Sequence, residues 1–240
     1  MRILVVIPTH NEEIVIESTL RTIVSACNNA LHGHDCFILV ADNASSDRTR
    51  EIVRRFAAVV PNVALWTTEK KGRGNALRTV WNEHDSDAYV YMDADLATDM
   101  AHLPELISAL ETSHLVVGSR FAGAALTRSA FRELVSRAYR VISHAIVPFG
   151  TKDLQCGFKA IRRDAARAIL PLTSHDGWFF DTELIAHAEH RGFAVAEIPV
   201  RWEEHRDARR KTSVKVFATA RDNFRQLWIL RRKLRENKIL

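Results

Sequence analysis

Short β-branched runs that alternate with helix-length amphipathic stretches constrain this chain more than any other feature. Residues 3–7 precede a helical pattern over 12–29, residues 37–41 one over 47–59, and residues 63–66 one over 75–84. Strand-length segments at 88–92 and 115–117, with a helix over 103–110 between them, continue the alternation. Strands joined by helices pair in parallel, because each crossover returns the chain to the same end of the sheet before the next strand begins. The pattern therefore predicts an α/β fold, a Rossmann-like and mostly parallel sheet flanked by helices, with any ligand at the C-terminal strand ends. A length of 240 residues suits one such unit.

The first two helices begin where strands stop. Asn11 is placed to cap the first, and Ser46 or Asp47 the second, since short polar side chains accept the N–H groups that a helix start leaves unpaired. Both starts set positive helix-dipole ends beside the crevice, where a phosphorylated ligand is stabilised. After Arg120 the rhythm breaks and a second kind of structure is expected. An amphipathic segment over 131–149 and a turn-rich stretch to Gly157 follow, then helical patterns over 164–170 and 180–190 and a strand over 194–200.

Net charge is +5 but unevenly placed: residues 201–240 hold 13 Lys/Arg against 5 Asp/Glu, which gives the tail +8 and the rest of the chain −3. That asymmetry points to an anionic partner of the tail, a phospholipid surface or a nucleic acid. No aromatic-interleaved or groove-reading motif supports the second, so no nucleic acid is expected. Val216, Phe217, Ala220, Phe224, Leu227 and Trp228 keep helical spacing while Arg221, Arg225, Arg231, Arg232 and Lys233 supply charge. Such a helix lies on an anionic membrane or docks with a solvated face. Tyr139, Val141, Ile142, Ala145, Ile146, Val147, Pro148 and Phe149 likewise form an apolar surface that suits a bilayer or the core. No run reaches the roughly 20 apolar residues of a membrane span. Cys27, Cys36 and Cys156 are an odd count without CxxC spacing, so a reducing compartment is the default and neither a disulfide framework nor a zinc ribbon is expected.

Chemistry concentrates at Tyr91-Met92-Asp93-Ala94-Asp95-Leu96, where an apolar strand runs into two carboxylates one residue apart. Hard oxygen ligands so placed suit Mg²⁺ or Mn²⁺, which keeps open positions for the oxygens of a diphosphate; the bland alternative is a solvated loop. Residues 40–47 end an earlier strand with Asp42 as an acceptor for a base or ribose, and residues 7–12 end the first strand likewise. Three strand ends with carboxylates in one sheet describe a nucleotide pocket. Trp178, Phe179 and Phe180 read as core or pocket wall.

The chain resembles the glycosyltransferase family 2 enzymes of the GT-A fold, and more narrowly the polyprenyl-phosphate sugar synthases related to dolichyl-phosphate glucose and mannose synthases. The resemblance rests on seven segments in order: VIPTHNEE from Val6, ADNASSDRT from Ala41, KGRGNALR from Lys71, MDADL from Met92, VGSRF from Val117, DLQCGFKAIRR from Asp153 and GWFFDTELIAHAEHRGFAVAEIPVRW from Gly177. It implies that Pro8, Glu12 and Asp42 hold the nucleoside, that Lys71 and Arg73 lie near the donor phosphates, and that Asp93 and Asp95 ligate the metal. It also places Asp153, Gln155 and Asp181 in loops around the sugar and acceptor, with Asp93, Asp95, Asp181 and Arg132 as the catalytic set. Ala97 stands where some relatives carry a further glutamine ligand, and the Ser213/Lys215 pair differs by one residue from the family's spacing.

Arg132-Glu133-Leu134-Val135-Ser136-Arg137 resembles the family's acceptor-side RxxxSR pattern. Arg132 and Ser136 lie four apart on one helix face, with Arg137 beside it and Arg120 upstream, a set suited to an acceptor phosphate; spacing alone fits an exposed basic face equally well. The resemblance implies inverting, metal-dependent transfer of a hexose or N-acetylhexosamine from a nucleotide diphosphate sugar to polyprenyl or dolichyl phosphate. UDP-sugars are favoured because QCGFK and WFFDTEL look more like the glucose side of the family. The alternatives are a GDP-mannose donor, or a hydroxyl acceptor on a polysaccharide or small molecule. Residues 1–212 would form the catalytic domain, with a nucleotide half about 1–120 and an acceptor half about 121–212, and 213–240 a basic amphipathic helix. The expected place is cytoplasmic, peripheral at the inner face of the membrane. Many relatives append transmembrane helices, so a small transmembrane partner protein is also an expectation.

Overall fold

A computed structural model describes residues 1–121, 126–127, 130–203 and 216–236, and the side chains of these except 126–127, 130–136 and 216–220. The elements in order are β1 (Arg2–Thr9), α1 (Ile16–Ala30), β2 (Asp35–Asn43), α2 (Thr49–Ala57), β3 (Val63–Thr68), α3 (Arg73–Glu83), β4 (Ala88–Met92), α4 (Leu103–Ser108), β5 (Leu115–Ser119), β6 (Leu126–Thr127), α5 (Ala130–Ile146), β7 (Phe158–Arg162), α6 (Arg163–Ile169), α7 (Phe180–His190), β8 (Val195–Pro199), β9 (Trp202–Glu203) and α8 (Val216–Glu236). Seven strands form one sheet in the order β3-β2-β1-β4-β7-β5-β8, and β6 pairs with β9 beside it. All neighbours in the large sheet are parallel except β7, which runs antiparallel to both β4 and β5.

Burial explains why the central strands read as continuous apolar runs. Ile3 to Ile7 of β1 and Ala88 to Met92 of β4 are all at most 2% exposed, because helices cover both sheet faces. The inner face of α1 presents Ile16, Thr19, Leu20, Ile23 and Cys27, the spacing of a single helical stripe. A separate cluster joins Ile146 and Val147 at the end of α5, Phe179 and Ala186 at α7, and Leu227, Leu230 and Leu234 of α8. The C-terminal helix is thus docked on the domain, and the apolar surface expected over 139–149 divides. Ile146 and Val147 complete the core, whereas Val141 and Ile142 stay exposed.

Three expectations need correction. The chain beyond Arg120 is not a separate kind of structure, since β7 inserts between β4 and β5 and β8 extends the same sheet. Asn11 does not cap α1, which starts only at Ile16. Instead Asn11 takes a left-handed conformation (φ 59°), accepts the Ser46 N–H at 2.8 Å and so ties the β1 loop to the β2 loop. Asp47 does not occupy the cap position of α2 either, yet its carboxylate accepts the Thr49 N–H at 3.0 Å and the Glu13 N–H at 3.1 Å.

Candidate active site

The turn after β4 is fixed from three directions. Asp93 donates its N–H to the Gly157 carbonyl at 3.0 Å, Thr19 of α1 donates its hydroxyl to the Ala94 carbonyl at 2.6 Å, and Ala97 donates its N–H to Asp95 Oδ1 at 3.3 Å. A Cβ on Gly157 would overlap the Asp93 carboxylate, so glycine in Gln155-Cys156-Gly157 is what lets that carboxylate turn inward. Burial raises the Asp93 pKa; the Arg73 guanidinium opposes this and the neighbouring Asp95 carboxylate adds to it.

Beneath the turn lies a buried charged network. Arg73 approaches Asp93 Oδ1 at 3.1 Å and donates to Asp181 Oδ2 at 2.6 Å and to the Tyr91 hydroxyl at 3.0 Å. Lys159 of β7 donates to Asp181 Oδ1 at 2.8 Å and to the same Tyr91 hydroxyl at 3.1 Å. Both Asp181 oxygens are therefore occupied, at 1% exposure of the residue. Burial raises the Asp181 carboxyl to about 7, against the pull of Arg73, and lowers the Lys159 ammonium to about 7. Burial pushes each partner toward its neutral form, while the Arg73 guanidinium favours the Asp181 carboxylate. Trp178 covers the outer side, with the Arg73 guanidinium 4.6 Å from its ring centre.

On the side of β1 and β2, Asp42 is fully buried. Its Oδ1 takes a 2.5 Å bond from Arg50, while its Oδ2 receives only a long 3.4 Å bond from Thr9. Asn43 donates to the Thr9 carbonyl at 2.6 Å and accepts the Gly72 N–H at 3.1 Å, tying the β1 and β2 ends to the start of α3. Pro8 pairs with Ala41 in the sheet, Glu12 is half-buried in the β1 loop, and Lys71 is exposed on the loop before α3.

Toward β5, Arg120 forms a fork-to-fork pair with Asp153, Nε to Oδ2 at 2.6 Å and Nη2 to Oδ1 at 2.7 Å. Burial works against both charges, yet each partner more than offsets it, so the arginine is held above its ordinary value and the carboxyl below. Arg120 is thus largely committed within the protein. Arg132 and Ser136 fall on α5 but their side chains lie outside the described residues, and Arg137 sits on the exposed side of that helix. Ser213 and Lys215 are also outside the described residues.

Residues 4–170 match the family described as Glycosyl transferase family 2. The chain belongs to that family. Within it, glycosyltransferase AglD of Haloferax volcanii is 35% identical over 209 residues, 85% of this chain but 34% of that protein. Dolichyl-phosphate beta-glucosyltransferase ALG5C of Trichomonas vaginalis is 31% identical over 221 residues, 87% of this chain and 66% of that one. Undecaprenyl-phosphate mannosyltransferase of Micrococcus luteus is 32% identical over 211 residues, 85% of this chain and 84% of that one. The chain therefore spans about a third of the first relative and just under two thirds of the second. Among solved structures, glucosyl-3-phosphoglycerate synthase from Mycobacterium tuberculosis, in complex with Mn²⁺, UDP and phosphoglyceric acid, superposes with a TM-score of 0.71 at 19% identity, covering 95% of this chain and 78% of that one. That likeness establishes the fold.

For a family 2 member, the question of a divalent metal falls on Asp93 and Asp95. Among the described residues no group of three or more His, Cys, Asp or Glu side chains gathers as a metal cage. A two-carboxylate set still fits an ion that keeps open positions for a diphosphate, and a cation there would relieve the repulsion and burial that raise Asp93. Arg73 Nε and Gln155 Nε2 are buried donors without hydrogen-bond partners among the described residues, which fits an oxygen-rich ligand. Sequence reasoning gave Tyr91, Asn43 and Lys159 no role of their own, although each lies in a segment it singled out, and it missed Arg50 altogether. Their partners lie far off in the chain, and a lysine inside an apolar strand carries no local sign of being buried.

Proposed function

We propose that the protein transfers a hexose or N-acetylhexosamine from a nucleotide diphosphate sugar, UDP-sugars being favoured, to polyprenyl or dolichyl phosphate with inversion at the anomeric carbon. One observation carries the reading: the Asp93/Asp95 pair at the end of β4, faced by Arg73 and backed by the buried Asp181 and Lys159. Mg²⁺ or Mn²⁺ held by Asp93 and Asp95 would supply Lewis-acid stabilisation of the diphosphate. Arg73, pinned by Asp181 and Trp178, adds a fixed positive charge where the leaving group gains negative charge, and Lys71 adds a mobile one. Asp181 is in this reading a positioning residue. Pro8, Glu12 and Asp42 border the nucleoside.

A lipid monophosphate, with a second pKa near 6, is largely a dianion at pH 7. Its oxygen forms the bond to the anomeric carbon as the bond to the diphosphate oxygen breaks, and the electron pair leaves with the nucleoside diphosphate. No strong general base is required, so the acceptor side is built from positive charge, which Arg132 and Arg137 provide, with the Ser136 hydroxyl as a hydrogen-bond donor. The relatives named for dolichyl-phosphate glucosyl transfer and undecaprenyl-phosphate mannosyl transfer support the acceptor class. The second, named for mannosyl transfer and covered to 84% of its length, supports the rival reading in the sugar, mannose in place of glucose. In this reading residues 1–212 are the catalytic unit, the segment 213–240 that includes α8 faces the membrane, and the protein works at the inner membrane face. Among the described residues no helix is long and apolar enough to cross a membrane.

The test is transfer from a panel of radiolabelled UDP- and GDP-sugars onto a polyprenyl phosphate, with Mn²⁺ or Mg²⁺ and with EDTA. One donor should give a lipid product that EDTA abolishes; donor hydrolysis, or transfer to a phosphate-free acceptor with the lipid untouched, would remove the acceptor assignment. Asp95→Asn should lower turnover by roughly 10²–10³-fold and abolish Mn²⁺-dependent nucleotide binding in calorimetry. Unchanged binding would remove Asp95 as a ligand.

A further inference from the structure

The sulfurs of Cys27 and Cys36 lie 2.7 Å apart, although both residues are free cysteines and nothing in their sequence spacing pairs them. Cys27 closes the inner stripe of α1, and Cys36 is the second residue of β2. An approach of about 0.7 Å brings the sulfurs to the disulfide bond length of about 2.05 Å. Their surroundings differ. Cys27 is 3% exposed, whereas Cys36 is half-buried and lines an open pocket of about 610 Å³ with Arg2, His34, Asp35 and His84.

We propose that Cys27 and Cys36 form a redox-active dithiol, with Cys36 as the attacking thiol for small-molecule disulfides and Cys27 as the resolving one. The Cys36 thiolate attacks one sulfur of a disulfide RSSR, making a Cys36–SR mixed disulfide and releasing RS⁻. Cys27, after giving its proton to solvent, attacks the Cys36 sulfur and displaces the second RS⁻. In total two protein thiols are oxidised by two electrons and RSSR is reduced to two RSH. The hydrogen bond shared by the two sulfurs lowers the pKa of Cys36 and, with burial, raises that of Cys27, which fits this order of attack. The pair sits at the opposite end of the sheet from the carboxylates: Ile3 pairs with Cys36, whereas Thr9 pairs with Asp42. Cys36 and Asp42 are six residue steps apart along β2, about 20 Å. The dithiol is therefore independent of the transfer site.

The experiment treats the native full chain with oxidised glutathione at pH 8, then quantifies thiols and maps peptides by mass. The expected result is a fall from three thiols to one, with Cys27 linked to Cys36 and Cys156 unmodified. Cys27→Ser should stop at a stable glutathione adduct on Cys36, and Cys36→Ser should leave Cys27 unmodified. Retention of all three thiols by the glutathione-treated natural protein, or an adduct on its Cys36 that never resolves, overturns the proposal. That reading of the natural sequence stands even where a serine variant fails to fold.

Discussion

At the scale of single residues, the site depends on what is missing at Gly157 as much as on what is present at Asp93. In Gly157→Ala the added methyl takes the place of a carboxylate that has solvent on its other side, so the fold tolerates the change while Asp93 leaves its position. We expect a thermal midpoint within a few degrees of the parent, on the order of 1 kcal/mol, with Mn²⁺-dependent nucleotide binding and transfer lost; retained binding would show that Asp93 acts from elsewhere. His187 tests burial instead. It is 1% exposed in α7, its Nε2 has no hydrogen-bond partner among the described residues, and burial pulls its pKa from 6.5 to about 4. The unfolded chain therefore takes up the proton first as pH falls. Stability is lost between pH 6.5 and about 4, by up to about 3 kcal/mol. The difference in urea midpoint between the parent and His187→Gln should shrink or reverse over that window, and a pH-independent difference would refute the burial argument.

Among elements, the docking of α3 on the segment leading into α7 sets the distance between Arg73 and Asp181. Asn75 donates its N–H to the Asp176 carbonyl at 3.0 Å, and a Cβ on Gly74 would meet the His175 carbonyl oxygen and Phe180 Cβ at 2.5 Å each. Neither obstacle is a flexible side-chain tip. Gly74→Ala would gain up to ~1 kcal/mol of helix propensity but lose ~1–3 kcal/mol to overpacking. The net expectation is a lower urea midpoint with unchanged slope, and a stabilised variant would mean that α3 shifts freely. These elements also show what the sequence made legible. β1 to β5 and their helices were readable because continuous apolar runs and 3.6-residue stripes are local signals. β7 was not, because Lys159 and Arg162 break its apolar run; Lys159 is tolerated there, at 1% exposure, through Asp181, Tyr91 and the Cys156 carbonyl. The carboxylate pair was legible from its place at a strand end, whereas the role of Asp181 required the partners that tertiary structure brings to it.

For the whole molecule, α8 decides how a protein carrying an uneven charge meets its surroundings. One side of the helix is spent on the fold through Leu227, Leu230 and Leu234. The opposite side leaves Trp228 60% and Ile229 39% exposed, with Arg221, Arg225, Arg232 and Arg235 exposed around them, while Val141 and Ile142 are exposed on the neighbouring α5. An aromatic and aliphatic strip among arginines suits the boundary of an anionic bilayer, where each basic residue contributes about 1 kcal/mol, or about fivefold in affinity. Cosedimentation with vesicles containing phosphatidylglycerol should therefore exceed that with phosphatidylcholine alone, and it should fade as salt rises from 0.1 to 1 M and the screening length falls from about 10 to about 3 Å. Trp228→Glu should keep the parent's thermal midpoint, because that ring packs on nothing in the core, yet reduce vesicle binding. Leu230→Glu, which buries a charge in the cluster, should lower the midpoint itself. With a short, soluble polyprenyl phosphate, Trp228→Glu should turn over like the parent, and with the long-chain lipid in vesicles it should be slower. Equal loss on both acceptors would place Trp228 in the chemistry, and no loss on either would leave the positive tail without a membrane role.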